Sequence, residues 1–329
     1  MMSSFMYLML TIMVLVSIAF FTLLERKILG YCQVRKGPNK VGALGIFQPF
    51  SDAIKLFSKE MNFMFYMNIY LHILSPILSI LMMLLLWMIF YYKSEMTNLN
   101  LSVILFLCIS SMSSYSILWG GWSSNSKYSL IGSYRGFAQV ISYEVSMAMM
   151  LISLSIMWQS FNIKDMIMIQ NNFMMIMSFS FLFLIWVIIC LAETNRTPFD
   201  LSEGESELVS GFNIEYGSWL FAIIFISEYG MIMALSILTN YLFFGLYLKM
   251  NLFLFLIMMI MVLIRGTYVR YRYDKLMMMA WKVILPQTII IFFLTFFLFF
   301  LFSSSFCINF WTSKSEESSG SEFFKLKSF

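Results

Sequence analysis

Uncharged runs of about 20 residues, the length that crosses a bilayer as a helix, alternate with short charged segments along most of the chain. They predict eight membrane-spanning helices: Phe5–Leu24, Ile69–Tyr91, Leu99–Trp119, Gly136–Trp158, Phe173–Leu191, Trp219–Phe243, Leu252–Ile264 and Val283–Phe302. The sequence contains neither a detectable internal repeat nor a long linker. We therefore expect an all-α, polytopic membrane helix bundle that forms one domain over residues 1–310, followed by a polar, flexible tail over residues 311–329.

The stretch from Gln48 to Met61 follows a different pattern, because its charged residues fall away from its apolar ones at helical spacing. This periodicity predicts an interfacial amphipathic helix rather than a span. A surface helix that covers the bundle is the alternative that the pattern leaves open. The apolar face comprises Phe50, Ala53, Ile54, Phe57 and Met61.

Composition excludes an ordinary soluble domain. Hydrophobic residues make up 60% of the 329 residues and charged residues 12%, with a mean hydropathy of +0.83, whereas about a quarter of the residues of soluble domains are charged. The first apolar run has no basic segment before it and no small-residue cleavage site after it, so we interpret it as a retained span. The net charge of +4 is too small and scattered to indicate nucleic-acid binding.

Lysine and arginine are distributed unevenly between the predicted loops. Fifteen lie in the odd-numbered loops and three in the even-numbered ones. The odd loops are therefore predicted to face the inside, which is the matrix if the protein is mitochondrial, and both termini the outside. In the last odd loop, Ile264–Lys282, arginine and tyrosine alternate. Such a pattern can bind nucleic acid, but next to a span it favours an interface with headgroups or a neighbouring subunit.

Methionine is in excess, with 31 residues, beside 36 Phe and 5 Pro. This bias indicates a genome in which a second, AT-rich codon also encodes Met, as in animal mitochondria. A Met-rich apolar core, in which Met replaces Leu, is the structural alternative.

The densest acidic cluster lies between Ala192 and Tyr216. Because crowded carboxylates raise one another's pKa, some of these acids are expected to exchange protons near neutral pH; a solvated loop is the alternative. Hydroxyl caps followed by acids also predict short helical turns starting at Thr197 and Ser202, interrupted by glycine hinges. The cluster sets one cation, Arg196, against Glu193, Asp200, Glu203, Glu205, Glu207 and Glu215.

Two further acids fall inside predicted spans, Glu144 in the fourth and Glu228 in the sixth, and Arg135 precedes the first of them. An ionisable group within a span is costly and points to function. A neutral, hydrogen-bonded Glu that joins two helices is the alternative. Together with Glu193 at the end of the fifth span, these acids predict a polar, hydrated path through the bundle.

Three stretches resemble one known family: ERKILGYCQVRKGPNKVGALGIFQPFSDAIKLFSKE, AETNRTPFDLSEGESELVSGFNIEY and IRGTYVRYRYDKLMMMAWK. The family is subunit 1 of mitochondrial NADH:ubiquinone oxidoreductase, respiratory complex I, and the resemblance covers Leu15–Lys282. The codon bias agrees with an animal mitochondrial genome, and we expect an invertebrate source. One departure is Val269, where most members of the family place Pro, and it puts the shape of that turn in question.

The resemblance implies a core subunit in the mitochondrial inner membrane that helps form the ubiquinone chamber and couples quinone reduction to proton translocation. It implies a chamber and entrance that involve Glu25, Arg26, Arg35, Phe50, Asp52, Lys55, Phe57 and Phe225. It implies a proton path that involves Arg135, Glu144, Glu193, Arg196, Asp200, Glu203, Glu205, Glu207, Glu215 and Glu228. The expected partners are other complex I subunits, both membrane-arm and quinone-site hydrophilic ones, together with ubiquinone and phospholipid, but not nucleic acid.

The chain lacks the common cofactor-binding motifs, which indicates that the cofactors belong to partner subunits. The sequence has no GxGxxG, no Walker motif and no cysteine cluster, its four cysteines stand alone, and His72 is its one histidine. The chain is therefore expected to bind no metal or cofactor by itself, with NADH, FMN and iron–sulfur clusters on partner subunits. The alternative functions are a stand-alone proton- or cation-coupled carrier, which would need an internal repeat, and a passive anchor, which would not need Glu144 or Glu228.

Overall fold

The computed structural model describes residues 2–90, 100–170, 175–202, 204, 208, 210–245 and 250–317. In chain order, the described helices are α1 (Met2–Cys32), α2 (Gln48–Ser58), α3 (Ile69–Ile89), α4 (Ser102–Ser123), α5 (Lys127–Trp158), α6 (Ile163–Ile169), α7 (Met175–Ser178), α8 (Ser180–Glu193), α9 (Ser218–Phe243), α10 (Met250–Thr267), α11 (Tyr273–Met279) and α12 (Leu285–Glu317). Short 3-10 turns occupy Ala43–Gly45 and Gly211–Asn213, and a π-helical segment, Ala280–Ile284, joins α11 to α12.

The predicted polytopic helical bundle is confirmed. Six helices of the described part are long and apolar enough to cross a membrane, and two shorter apolar helices accompany them, Ser180–Glu193 and Leu252–Thr267. The six are Tyr7–Cys32, Ile69–Ile89, Ser102–Ser123, Lys127–Trp158, Ser218–Phe243 and Tyr273–Leu301. The eight predicted spans each correspond to one of these helices, although several boundaries differ.

Two predicted spans differ from the helices that the structure shows. The fourth begins at Lys127 rather than Gly136, so α5 carries Arg135 on its first turns. The fifth is not one helix in the described residues, because Phe179 leaves the helical region (φ −129°, ψ 49°) between α7 and α8. At the chain end, α12 continues to Glu317. The rest of the predicted tail, residues 318–329, lies outside the described residues.

The largest buried cluster lies between α3, α4, α5, α8 and α9. Its biggest fully buried side chains include Phe106, Tyr143, Trp186 and Phe243. Helices α3 and α9 approach closely at Gly230, where an added Cβ would lie 2.6 Å from Met83 Cγ. Small residues permit such close approach between membrane helices.

Several serines buried inside helices satisfy their hydroxyls within their own helix. Ser146 Oγ donates to the Tyr143 carbonyl at 2.7 Å, and Ser236 Oγ to the Met233 carbonyl at 2.7 Å. This local bonding lets serine enter a bundle interior without an unpaired donor.

The connections that follow α1, α4, α8 and α10 meet at one end of the bundle, which we call the basic end. There the Asn68 amide donates to the Ser123 carbonyl at 2.9 Å, and the Tyr271 amide to the Pro198 carbonyl at 3.0 Å. Most of the loop lysines and arginines lie in these connections.

Two local predictions at this end are wrong. Helix α2 ends at Ser58 because Lys59 is extended, so Met61 leaves the helical face and its sulfur accepts the Trp219 indole N–H at 2.7 Å. The predicted helix start at Thr197 gives no helix in the described residues, only a single turn in which the Phe199 amide donates to the Arg196 carbonyl at 2.8 Å. The carbonyls of Pro198 and Phe199 accept hydrogen bonds from the Tyr271 amide and the Gln139 side chain. The turn predicted after Ser202 falls largely on residues outside the description.

Candidate functional site

A cavity of about 80 Å³ opens inside the bundle near its basic end. That volume accommodates a few water molecules, each of which takes about 30 Å³ in the liquid. Its polar lining comes from α3, α4, α9 and the turn after α8, and includes Ser75, Ser79, Ser113, Ser116, Glu193, Thr194, Asn195, Tyr216, Ser227 and Glu228. We call it the carboxylate cavity, after its two acids.

Glu193 ends α8 and is 7% exposed. Among the described residues, neither of its carboxyl oxygens has a hydrogen-bond partner. Glu144, half-buried on α5, lies near enough to interact with it electrostatically. Because an unpaired buried carboxylate is costly, the charge state of Glu193 is sensitive to the charges around it.

Arg196 brings the positive charge to the same place from the turn after α8. Its Nη2 lies 3.2 Å from Glu228 Oε2, and its guanidinium carbon lies 4.4 Å from the centre of the Tyr229 ring. The Arg196 side chain is 10% exposed and the Glu228 side chain 23%, so the pair is partly shielded from solvent. A planar guanidinium suits both contacts, since it can bind a carboxylate and stack on an aromatic face.

A second ion pair joins α1 to α10, where Arg265 Nη1 donates to Glu25 Oε1. Glu25 is 5% exposed. Both residues and Arg196 line a smaller cavity of about 20 Å³ that also contacts Thr194. The two ion pairs therefore lie side by side, with Thr194 lining both cavities.

Gln139 of α5 holds the turn that carries these acids. Its fully buried amide nitrogen donates to the Ala192 carbonyl at 2.9 Å and to the Phe199 carbonyl at 2.8 Å. Ala192 directly precedes Glu193, and Phe199 directly precedes Asp200. One side chain therefore fixes both ends of the segment that carries Arg196.

Asp200 is held from the other side by the loop after α10. Arg270 Nη2 lies 3.2 Å from Asp200 Oδ2. The ring of Tyr271 stacks on Phe199, with 5.6 Å between ring centres. Residues of the predicted Arg- and Tyr-rich loop thus contact the acidic stretch.

Helix α2 packs against α1 and α9. Arg26 Nη1 lies 2.5 Å from Asp52 Oδ2, which ties α2 to the end of α1. Phe50 meets Phe20 edge-on at 6.1 Å between ring centres, whereas Phe57 is 61% exposed. This is an amphipathic helix that leaves an apolar edge open toward its surroundings.

Beside α2, four aromatic rings form a row between α9 and α1. Phe225 contacts Phe221 at 4.4 Å and Tyr229 at 6.4 Å between ring centres, and Tyr229 contacts Phe21 at 5.9 Å. The row leads to the Tyr229 ring on which Arg196 rests. Apolar surface therefore reaches from α9 to the ionised groups.

An open groove of about 560 Å³ lies at the end of α1. It is lined by Arg26, Arg35, Lys36 and Lys40, among others. Its concentration of positive charge is suited to an acidic surface or a phosphate group.

The other predicted site residues are placed as follows. Arg135 lies over the Tyr273 ring, 5.9 Å from its centre, Lys55 is exposed on α2, and Glu215 is half-buried before α9. Glu203, Glu205 and Glu207 lie outside the described residues. Sequence reasoning missed the roles of Gln139, Arg265 and Tyr229. A buried glutamine in an apolar span was the available signal for the first, but nothing local marks the partners of the other two.

Comparison with known proteins decides the family, since the family model described as NADH dehydrogenase matches residues 5–296. The chain belongs to the NADH dehydrogenase family. Among its relatives, NADH-ubiquinone oxidoreductase chain 1 of Rhipicephalus sanguineus is 64% identical over 304 residues, which cover 92% of this chain and 97% of the relative. The proteins of the same name from Aedes aegypti and Sarcophilus harrisii are 49% and 46% identical, covering 86% and 84% of this chain and 91% and 90% of each relative.

These findings confirm the resemblance to complex I subunit 1, and the relatives from Rhipicephalus sanguineus and Aedes aegypti are invertebrate proteins. The names of the relatives and the apolar helices indicate that this member of the NADH dehydrogenase family is a membrane subunit of respiratory complex I. They also indicate that it lies in a mitochondrial membrane. Within the described ranges, no group of three or more His, Cys, Asp or Glu side chains is arranged to hold a metal ion.

Proposed function

We propose that this subunit helps form the ubiquinone chamber of complex I and couples quinone reduction to proton translocation. The observation that carries the proposal is that Glu193 and Glu228 line one cavity inside a membrane bundle, while Arg196 pairs with Glu228. Ionisable groups placed there mark ion or proton pathways. Reduction of a quinone takes up protons with electrons, so a chamber beside such groups can pass a change of charge to them.

The quinone entrance is assigned to the opening between α2, α1 and α9. The exposed Phe57 edge and the aromatic row from Phe221 to Tyr229 offer apolar surface to an isoprenoid tail. Asp52, Arg26 and the Glu25–Arg265 pair offer polar contacts to the headgroup beyond it. Ligand pockets combine these two features, an apolar lining with a few fixed polar groups.

The coupling element is the segment from Glu193 to Asp200. Its charged groups face two helices and a loop at once, since Arg196 meets Glu228 on α9, Glu193 interacts with Glu144 on α5, and Asp200 meets Arg270 after α10. A charge change at the chamber alters these contacts and so the proton occupancy of Glu193, then of Glu228 and Glu144. The loop acids Glu203, Glu205 and Glu207 belong to the same proposed path.

The remaining assignments follow from this role. The electron carriers NADH, FMN and the iron–sulfur clusters reside on partner subunits, and this chain alone binds no cofactor. Its partners are membrane-arm and quinone-site hydrophilic subunits, ubiquinone and phospholipid. We place it in the mitochondrial inner membrane, with the basic end toward the matrix and both termini toward the intermembrane space, in keeping with the distribution of positive charge.

The test is Glu228→Gln in membrane preparations of the complex. The substitution keeps the side-chain size and its hydrogen-bonding capacity but removes the charge. We expect proton pumping and NADH:ubiquinone turnover to fall, while NADH oxidation by a hydrophilic acceptor continues. Glu60→Gln, which removes an exposed carboxylate at the basic end, is the matched control. Full pumping in Glu228→Gln would show that this acid only joins two helices, and the proposal would be wrong.

A further inference from the structure

Tyr229 of α9 lies where the aromatic row meets the ionised groups. Its ring stacks on that of Phe225, with 28° between the planes and 6.4 Å between the centres, and meets Phe21 of α1 edge-on at 5.9 Å. On a third side, the Arg196 guanidinium carbon lies 4.4 Å from the centre of the Tyr229 ring. Aromatic neighbours from α1 and α9 thus hold the ring that the arginine contacts.

Two consecutive residues of α9 contact the Arg196 side chain. Its Nη2 lies 3.2 Å from Glu228 Oε2, and its guanidinium lies over the ring of the next residue, Tyr229. Consecutive residues of a helix point about 100° apart, so the guanidinium lies between two faces of α9. It makes an ion pair on one face and a cation–π contact on the other. Arg196 comes from the turn after α8, and these two contacts set its position relative to α9.

The contacts of Arg196 also join two cavities. Glu228 lines the carboxylate cavity, whereas Arg196 and Phe21 line the smaller cavity beside it, together with Glu25 and Arg265. The Arg196 side chain is 10% exposed. Because water competes little at such a site, a cation–π contact there is worth about a tenfold change in an equilibrium constant.

Apolar packing is the simpler interpretation of a half-buried tyrosine. Tyr229 does pack against the buried cluster that includes Phe21, Ile232 and Met233, and a leucine would fill much of the same space. Packing alone does not account for the guanidinium over the ring face. At 4.4 Å, that guanidinium is well within the range of about 6 Å over which a cation is attracted to a ring.

We propose that Tyr229 is a positioning residue, whose ring face holds Arg196 on Glu228 and links that ion pair to the aromatic row. A quinone that binds along the row contacts Phe221 or Phe225 and so shifts the ring that supports the arginine. Loss of that support weakens the pair with Glu228 without removing either charge. The proposal rests on the proposed function, since it takes the row as part of the quinone entrance and Glu228 as part of the proton path.

The experiment compares Tyr229→Leu, Tyr229→Phe and Tyr241→Leu in the assembled complex in sealed membrane vesicles. Leucine removes the ring face but stays apolar, whereas phenylalanine keeps the ring face. Tyr241 is near the other end of α9, where its ring lies 6.0 Å from that of Phe90. Tyr241→Leu is therefore the matched control for loss of an aromatic residue from the same helix.

We expect proton pumping and ubiquinone turnover per assembled complex to fall about tenfold in Tyr229→Leu. The loss should appear in kcat rather than in the apparent quinone KM, because leucine keeps an apolar surface for the tail. Tyr229→Phe should restore most of the turnover, since phenylalanine also attracts a cation to its face. Tyr241→Leu should leave turnover per assembled complex unchanged.

Thermal inactivation measures the contact independently of pumping. If Tyr229 holds Arg196 on Glu228, the two contacts are energetically coupled, and the effects of removing them are not additive. The acceleration of inactivation by Tyr229→Leu should therefore differ between the wild-type and Glu228→Gln backgrounds. Equal acceleration in both backgrounds would show that the contacts are independent and would overturn the positioning role.

Other outcomes also overturn the proposal. Equal losses of turnover in Tyr229→Phe and Tyr229→Leu would assign the effect to the hydroxyl, and an equal loss in Tyr241→Leu would assign it to packing. Full turnover in Tyr229→Leu would show that the ring face is not needed. If Tyr229→Leu does not assemble, Tyr229→Met replaces it, because a flexible thioether fills the space without a ring face; reduced turnover supports the proposal and unchanged turnover overturns it.

Glu228→Gln separates this proposal from the proposed function. Lost pumping in Glu228→Gln with full turnover in Tyr229→Leu overturns the positioning role alone. Full pumping in Glu228→Gln, together with inactivation rates that depend on the background, overturns the proton path but retains the positioning of Arg196 by Tyr229.

Discussion

Gln139→Leu tests whether the turn that carries Glu193 and Asp200 must be held by α5. Leucine fits the apolar surroundings but cannot donate to the carbonyls of Ala192 and Phe199, which now accept at 2.9 Å and 2.8 Å. The matched variant is Gln170→Leu. Gln170 donates in the same way to the carbonyls of Tyr241 and Leu242, at 3.1 Å and 2.8 Å, at the far end of α9.

The energetic cost of Gln139→Leu depends on the hydrogen bonds that the two carbonyls retain. The Ala192 carbonyl still accepts from the Asn195 amide at 3.3 Å, and the Phe199 carbonyl from the Leu201 amide at 3.0 Å. Each lost bond therefore costs about 1 kcal/mol rather than the full penalty of an unpaired group. Leucine also removes Gln139 Oε1, which has no hydrogen-bond partner among the described residues, and this offsets part of the loss. We expect a net destabilisation of about 1–2 kcal/mol.

Enzymatic turnover should distinguish Gln139→Leu from Gln170→Leu. Misplacing a reacting group by about 1 Å can cost about 100-fold in rate, and the freed turn carries both Glu193 and Arg196. We therefore expect Gln139→Leu to lower NADH:ubiquinone turnover per assembled complex about tenfold, and Gln170→Leu to leave it unchanged. Thermal inactivation of the complex measures stability, and a hydrophilic acceptor measures NADH oxidation. Equal turnover losses in both variants would show a general stability effect and refute the positioning argument.

Three further predictions follow from the contacts of the site. Phe57→Glu on the exposed edge of α2 should raise the apparent quinone KM more than it harms assembly, while Phe57→Leu should not; unchanged NADH:ubiquinone kinetics in the assembled Phe57→Glu complex would contradict the entrance. Lys36→Glu in the basic groove should loosen the junction with a soluble subunit and make it salt-sensitive, unlike Lys164→Glu at the other end of the bundle, and normal complex yield and salt tolerance would count against it. Gly132→Ala places a Cβ 2.9 Å from Gly211 Cα and should destabilise the protein by about 1–3 kcal/mol, whereas Gly217→Ala, which meets nothing within 4 Å, should not; equal thermal stability of the two would refute the close contact.

Hydropathy was sufficient to locate the spans, because burial in lipid demands long apolar helices whatever their neighbours. It was less informative about where helices begin and end. α5 starts at Lys127 because its first turns pack against the loop before α9: an added Cβ at Gly132 would lie 2.9 Å from Gly211 Cα, and one at Gly136 would lie 2.8 Å from Ser202 Cβ. At Thr197 tertiary contacts also outweigh the local helix signal, because the carbonyls of Pro198 and Phe199 accept from Tyr271 and Gln139.

The sequence could identify the acids of the site but not their partners. Helical periodicity predicts which face of its helix a residue occupies and whether that face is buried. The ion-pair partner of the residue depends instead on which helices are neighbours. Arg265 meets Glu25 across 240 positions of the chain, and Arg196 meets Glu228 across 32. Arg265 looked like one more basic residue in a positively charged loop. Its partner is visible only once α1 and α10 are packed together.

The placement of these arginines decides which acid responds to a change of charge. Glu25 and Glu228 each have a guanidinium within contact distance, so much of the cost of burying their charge is compensated. Glu193, which lines the same cavity as Glu228, interacts electrostatically with Glu144 and has no hydrogen-bond partner among the described residues. Weakening the Arg196–Glu228 contact would bring Arg196 under competition from Glu193, because both acids line the same cavity. In the proposed mechanism, a displacement of the turn would let Arg196 exchange Glu228 for Glu193 and so move the preference for negative charge from α9 to α8.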